Sequence, residues 1–148
     1  MRIIAYSLMP NHWHLLLWPA RDGEISRFLH WVTGTHAARF RRQTASQGQG
    51  AVYQSRFQAV GVLDLLHFLR ACRYVERNPV QANLVARAED WPWCSAAQRA
   101  GRDTDLPIDD GPMSLPSDWL EIVNDNREWV EGDSALPGWR ADQAEPAR

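Results

Sequence analysis

Two histidines one position apart, His12 and His14, and a tyrosine far along the chain, Tyr74, are the residues best suited to chemistry. Alternate side chains of a β-strand share a face, so the two imidazoles would stand on one side with Cα atoms about 6.5–7 Å apart, close enough to share one divalent ion. Trp13, between them, is then expected to turn the other way, towards the core. The same spacing also arises from two surface or packed imidazoles that bind nothing. Tyr74 falls in a helical stretch, with Asn78 one turn on and Arg70 and Arg77 near its face. Guanidiniums beside a tyrosine can hold a phosphodiester and favour the phenolate, as a nucleophile for phosphoryl transfer requires. The plainer alternative is a tyrosine that packs its ring and leaves its hydroxyl on the rim. Asn78 carries two readings as well: a polar metal ligand, or the N-cap of a helix that begins at Pro79.

The elements that must position these groups can be read from local pattern. Residues 2–8 and 12–18 are short apolar runs separated by Met9-Pro10-Asn11, a turn signal, and so form an antiparallel hairpin. Ile25, Phe28, Leu29, Val32, His36 and Phe40 recur at three- and four-residue steps, which predicts an amphipathic helix from Asp22, its cap, to about Gln43. Arg39, Arg41 and Arg42 lie at its end. After a polar loop at 44–50, Phe57 to Leu63 is expected to form a third strand, weakened by Gly61. A second helix follows, capped by Asp64, with Leu65, Leu66, Leu69, Cys72 and Val75 on its buried side as far as Arg77. Pro79 should stop or kink it, with a further short helix through Leu84. Beyond Arg102 only a short helical piece near Trp119 to Val123 stands out.

Composition is that of a soluble globular domain: 45% hydrophobic and 23% charged residues, with no apolar run approaching the roughly 20 residues that span a bilayer. A cytoplasmic, nucleoid-associated location is the expectation. Cys72 and Cys94 stand far apart with no CxxC pair, so neither a disulfide framework nor a zinc cluster is indicated. The net charge of −2 conceals a division: residues 1–102 hold 13 arginines against 6 acids, and residues 103–148 hold 3 against 12. This suggests a catalytic domain at 1–102 followed by an acidic, Pro/Gly-rich tail at 103–148. All basic residues are arginine, whose planar fork pairs with phosphate and stacks on bases. Arg39, Arg41, Arg42, Arg56, Arg70, Arg73 and Arg77 could therefore follow a nucleic-acid backbone, although surface charge often serves only solubility.

Four segments in order, AYSLMPNHWHLLL, YQSRFQAV, CRYVERNPVQANLV and EDWPWCSA, resemble the REP-associated tyrosine transposases, a branch of the single-tyrosine HUH transposases. The resemblance covers about residues 4–100, and PSDWLEIVN at 116–124 looks like the family's later region. It implies an α+β fold with an antiparallel, ferredoxin-like sheet and helices packed on one face. It further implies that His12 and His14 bind Mg²⁺ or Mn²⁺, that Asn78 lies where relatives supply a third polar ligand, and that Tyr74 is the nucleophile. The implied partner is single-stranded or hairpin DNA of repetitive extragenic palindrome type, cut and rejoined through a 5′-phosphotyrosine bond.

Relatives usually carry a strand and helix before the hairpin, so the chain is expected to be N-terminally incomplete, with a second chain, as in a homodimer, one way to fill the gap. Trp91 and Trp93 read as packing residues rather than base platforms. Two other functions fit the same residues: a catalytically inactive or truncated hairpin-DNA-binding remnant, and an unrelated metal hydrolase built on His12 and His14.

Overall fold

A computed structural model of the chain describes residues 1–44, 50–53 and 56–127. The fold is α+β. Strand β1 (Arg2–Leu8) pairs antiparallel with β2 (Trp13–Trp18), and the register sets Ser7 opposite His14 and Leu8 opposite Trp13. The connecting turn closes where the Met9 amide donates to the His12 carbonyl, 2.9 Å away. Helices α1 (Glu24–Thr44), α2 (Leu65–Gln81), α3 (Ser95–Arg99) and α4 (Trp119–Asn124) follow, with a 3-10 turn at Ala88–Asp90. No helix among the described residues is long and apolar enough to cross a membrane.

Helix α2 is the element on which the core is built. Asp64 caps it as expected, its carboxylate accepting the His67 amide at 2.7 Å. Phe68 and Cys72 then join Ile4 of β1, Ala88, Cys94, Ala96, Trp119 and Val123 in one buried cluster. Of the two expected effects of Pro79, a stop or a kink, the stop does not occur there. Pro79 lies inside α2, which runs on to Gln81. The stop comes from Asn83, at φ 55°, whose amide bonds the Val80 carbonyl while Leu84 bonds that of Pro79. That pattern closes a helix with a left-handed residue and satisfies carbonyls that lack helical donors. Asn78 is accordingly an interior helical residue rather than an N-cap, and no separate helix reaches Leu84.

The expected third strand is absent. Residues 56–63 have no strand assignment and are exposed, Leu63 at 86% and Val60 at 47%. The described sheet has two strands, and residues 56–63 pair with neither. Of the polar loop expected before it, residues 45–49 lie outside the described residues. Nor does residue 102 mark a break in the packing. The Asp109 amide bonds the Ile3 carbonyl at 2.8 Å, and Trp119 and Val123 are buried in the core. Residues 103–127 thus belong to the folded unit. The remainder of the expected tail, 128–148, lies outside the described residues.

Candidate active site

The hairpin turn presents the two histidines at the end of β2. Their rings meet edge to face, with centroids 5.0 Å apart. His12 is exposed and its Nδ1 lies 2.7 Å from the Asn11 side-chain oxygen. His14 is half-buried, because its partner across the hairpin, Ser7, faces the helix side of the sheet. Trp13 therefore lies on the opposite face, half-buried and outside the core cluster. This reverses the expected orientation of the strand: the histidine side, not the tryptophan side, is the one that α2 covers.

Helix α2 brings up the remaining groups. The Tyr74 ring stands edge-on to His14, with centroids 5.3 Å apart. One turn on, the Asn78 side chain donates to the Tyr74 carbonyl at 3.1 Å and also hydrogen-bonds His14. Burial lowers the pKa of His14, the neighbouring His12 lowers it further, and the bond to Asn78 opposes both. The imidazole is thus held in its neutral, metal-competent form further into acid than a free histidine. The four residues singled out from sequence, far apart in the chain, form one contiguous cluster.

Among the described residues no group of three or more His, Cys, Asp or Glu gathers to hold a metal ion. The available donors are two imidazoles and one amide. Such a set does not make a closed zinc site, whose four ligands are typically thiolates and imidazoles. Imidazole ligands are acceptable to Mn²⁺ and tolerable for Mg²⁺, which otherwise prefers oxygen, and three protein donors leave positions open for water and phosphate oxygens. The residues present therefore fit the implied ion.

The family described as Transposase IS200 like matches the chain over residues 1–78. The chain belongs to this family. The matched segment holds β1, β2, α1 and α2 as far as Asn78, and so includes all four clustered residues. No curated protein and no solved structure matches this transposase.

The arginines divide into two groups. Arg39, Arg42 and Arg56 are exposed, whereas Arg41 is half-buried and donates to the Gly50 carbonyl at 2.8 Å. Arg70 is half-buried on α2. Arg73 and Arg77 turn inward to the end of α4. Arg73 donates to the carbonyls of Ile122 and Asp125 at 2.9 and 2.6 Å. Arg77 donates to the Val123 carbonyl at 2.6 Å and to the Asn126 side chain at 2.7 Å. The last carbonyls of a helix have no intrahelical donors, and these two guanidiniums supply them. Burial, followed by the charge of Arg77, lowers Arg73 to about 10, so it remains protonated at neutral pH. In place of the expected DNA backbone, these two side chains bind the chain's own carbonyls.

Glu76 is a residue that sequence reasoning does not single out. It is fully buried on the far side of α2 and accepts from Ser95 Oγ at 2.6 Å, Arg99 Nε at 2.8 Å and Trp119 Nε1 at 2.7 Å. Arg99 continues to the Ile4 carbonyl, 2.7 Å away, so the network ties α2 to α3, α4 and β1. A signal for it exists: Glu76 lies four residues after Cys72, on the stripe that the periodicity assigns to the core. Trp91 packs against the core as expected and donates to the Leu8 carbonyl at 2.9 Å. Trp93 does not pack, being 61% exposed.

Proposed function

We propose that this IS200-like transposase cuts and rejoins single-stranded or hairpin DNA through a covalent bond to Tyr74. The observation that carries the reading is the contact of Tyr74 with His14, at 5.3 Å between ring centroids, with Asn78 hydrogen-bonded to the same imidazole. A hydrolase that used the histidines to activate water would have no use for a phenol there. A DNA-binding remnant would have no use for the histidine pair.

In the proposed step the Tyr74 oxygen attacks a backbone phosphorus, a phosphotyrosine ester forms, and the bond to the 3′ oxygen breaks. The phenolic proton is lost and the departing 3′ oxygen gains one, so the exchange balances through solvent. One phosphodiester replaces another, and the free 3′-hydroxyl can reverse the attack without an external energy source. His12, His14 and Asn78 would hold the divalent ion, Mg²⁺ or Mn²⁺, which supplies positive charge for the phosphate and the leaving oxygen. His14 and Asn78 also fix the position of Tyr74, one through ring contact and the other along the same helix face. The exposed Arg39, Arg42 and Arg56 are the side chains offered to the DNA backbone.

Covalent trapping tests this reading. The full chain is incubated with end-labelled hairpin DNA carrying a single-stranded flank, with Mn²⁺ or with EDTA, and resolved under denaturing conditions. A labelled protein band that requires the metal supports the proposal. Metal-dependent cleavage without a covalent band would favour a hydrolase, and DNA binding without either would favour a remnant.

A further inference from the structure

Helix α1 carries an aromatic residue that its own amphipathic design does not explain. Ile25, Phe28, Leu29, Val32, His36 and Phe40 lie on one side of the helix, with Leu29 buried and Ile25, Phe28 and Val32 half-buried. At 100° per residue Trp31 falls on the other side, and it is 66% exposed. The same stripe holds Arg27 one turn before it, then Gly34 and Ala38, then Arg42. Arg39 falls instead on the Phe28–Val32 side.

A tryptophan on the polar face of a helix costs apolar exposure without adding to the core. Its setting here has a specific form: a wide ring, small residues beyond it that leave the surface open, and cations at both ends. A Cβ built at Gly34 would meet nothing within 4 Å. The helix has four arginines and one acid, Glu24, and that acid is engaged with the Ala20 amide at 2.6 Å. From Arg27 to Arg42 the helix rises roughly 22 Å, long enough for several nucleotides. Flat bases stack on an exposed aromatic ring while guanidiniums follow the phosphates, and the charge selects a polyanion.

We infer that the Trp31 face of α1 is a binding surface for single-stranded DNA, with Trp31 stacking on a base and Arg27 and Arg42 contacting flanking phosphates. The inference rests on the nucleic-acid reading above and deepens it by assigning a strand-holding surface separate from the His14–Tyr74 cluster.

The test measures binding of the full chain to a short fluorescein-labelled oligothymidylate and to an abasic oligomer of equal length, over a salt series. Trp31→Ala should weaken thymidylate binding roughly 5- to 100-fold. Its affinity for the abasic oligomer and its salt slope should be unchanged, and Trp31→Phe should recover most of the loss. Arg42→Gln should instead lower the salt slope by about 0.7 on both oligomers. Alanine is the better helix former, so Trp31→Ala should keep the wild-type helical signal. The inference is overturned if Trp31→Ala binds thymidylate like wild type, or if it loses equally on both oligomers. It is also overturned if the substitution abolishes self-association and leaves DNA binding intact, which would make the face a contact between copies. A wild-type chain that forms the Tyr74 adduct while Trp31→Ala binds normally refutes only this surface. A wild-type chain that binds neither oligomer refutes both readings.

Discussion

His14 is where the functional groups converge, since its ring touches both His12 and Tyr74 and its hydrogen bond reaches Asn78. His14→Ala should therefore abolish metal-dependent cleavage while leaving affinity for single-stranded DNA within about threefold, because affinity comes mainly from the arginines. Cleavage assays and binding isotherms in one salt condition check this, and equal loss of both would assign His14 to DNA contact instead. The cysteines give a second test at this scale. Burial pushes the Cys94 thiol up to about 12 and raises Cys72 further, so neither forms thiolate near neutral pH. Both should resist iodoacetamide in the native protein and react rapidly in denaturant; fast native labelling of either, read by mass spectrometry, would contradict their place in the core.

Helix α2 carries Tyr74 on one side and Glu76 on the other, so the orientation of the nucleophile depends on what holds Glu76. Glu76→Ala would leave Arg99, Ser95 and Trp119 without their shared acceptor, in a site with no exposure. The expected cost is about 3–5 kcal/mol, seen as a lower midpoint in urea unfolding. An unchanged midpoint would show that α2 is held by packing alone. The same helix shows what can be read from sequence. Its cap and the Cys72–Val75 part of its buried stripe follow from local periodicity, whereas Leu65, expected on that stripe, is 54% exposed, and the approach of Tyr74 to the histidines is implied only by the family resemblance. What is not legible depends on partners distant in the chain. The carbonyls that engage Arg73 and Arg77 belong to α4, about fifty residues on. Pro79 promises a stop or kink, but the helix runs past it, buried, to Gln81. The expected strand at 57–63 has suitable residues, yet a strand forms only against an edge that accepts its backbone.

At the scale of the whole molecule, the boundary that matters is not the one suggested by charge. Deleting residues 103–148 would remove Trp119 and Val123 from the core and the carbonyls bound by Arg73 and Arg77. That truncation should lose cooperative thermal unfolding, whereas removal of 128–148 alone should retain it. The shorter deletion takes away five acids and two arginines, shifting net charge from −2 to +1. Binding to single-stranded DNA should be equal or tighter, as a polyanion demands. Calorimetry of the two truncations checks the first statement and a binding isotherm the second; a cooperative fold in the 1–102 fragment would contradict the described packing.

The central claim, that Tyr74 is the nucleophile, is tested most directly by comparing wild type with Tyr74→Phe. The substitution keeps the ring that meets His14 and removes only the reacting oxygen. After incubation with hairpin DNA and Mn²⁺, nuclease trimming and trypsin, the fragment between Arg73 and Arg77 can be identified by mass spectrometry, because Tyr74 is its only tyrosine. Wild type should yield this peptide carrying a nucleotide phosphate on Tyr74, while Tyr74→Phe binds DNA normally and yields no adduct. An adduct of equal yield in the Phe variant, or one mapped to Tyr6 or Tyr53, would contradict the account.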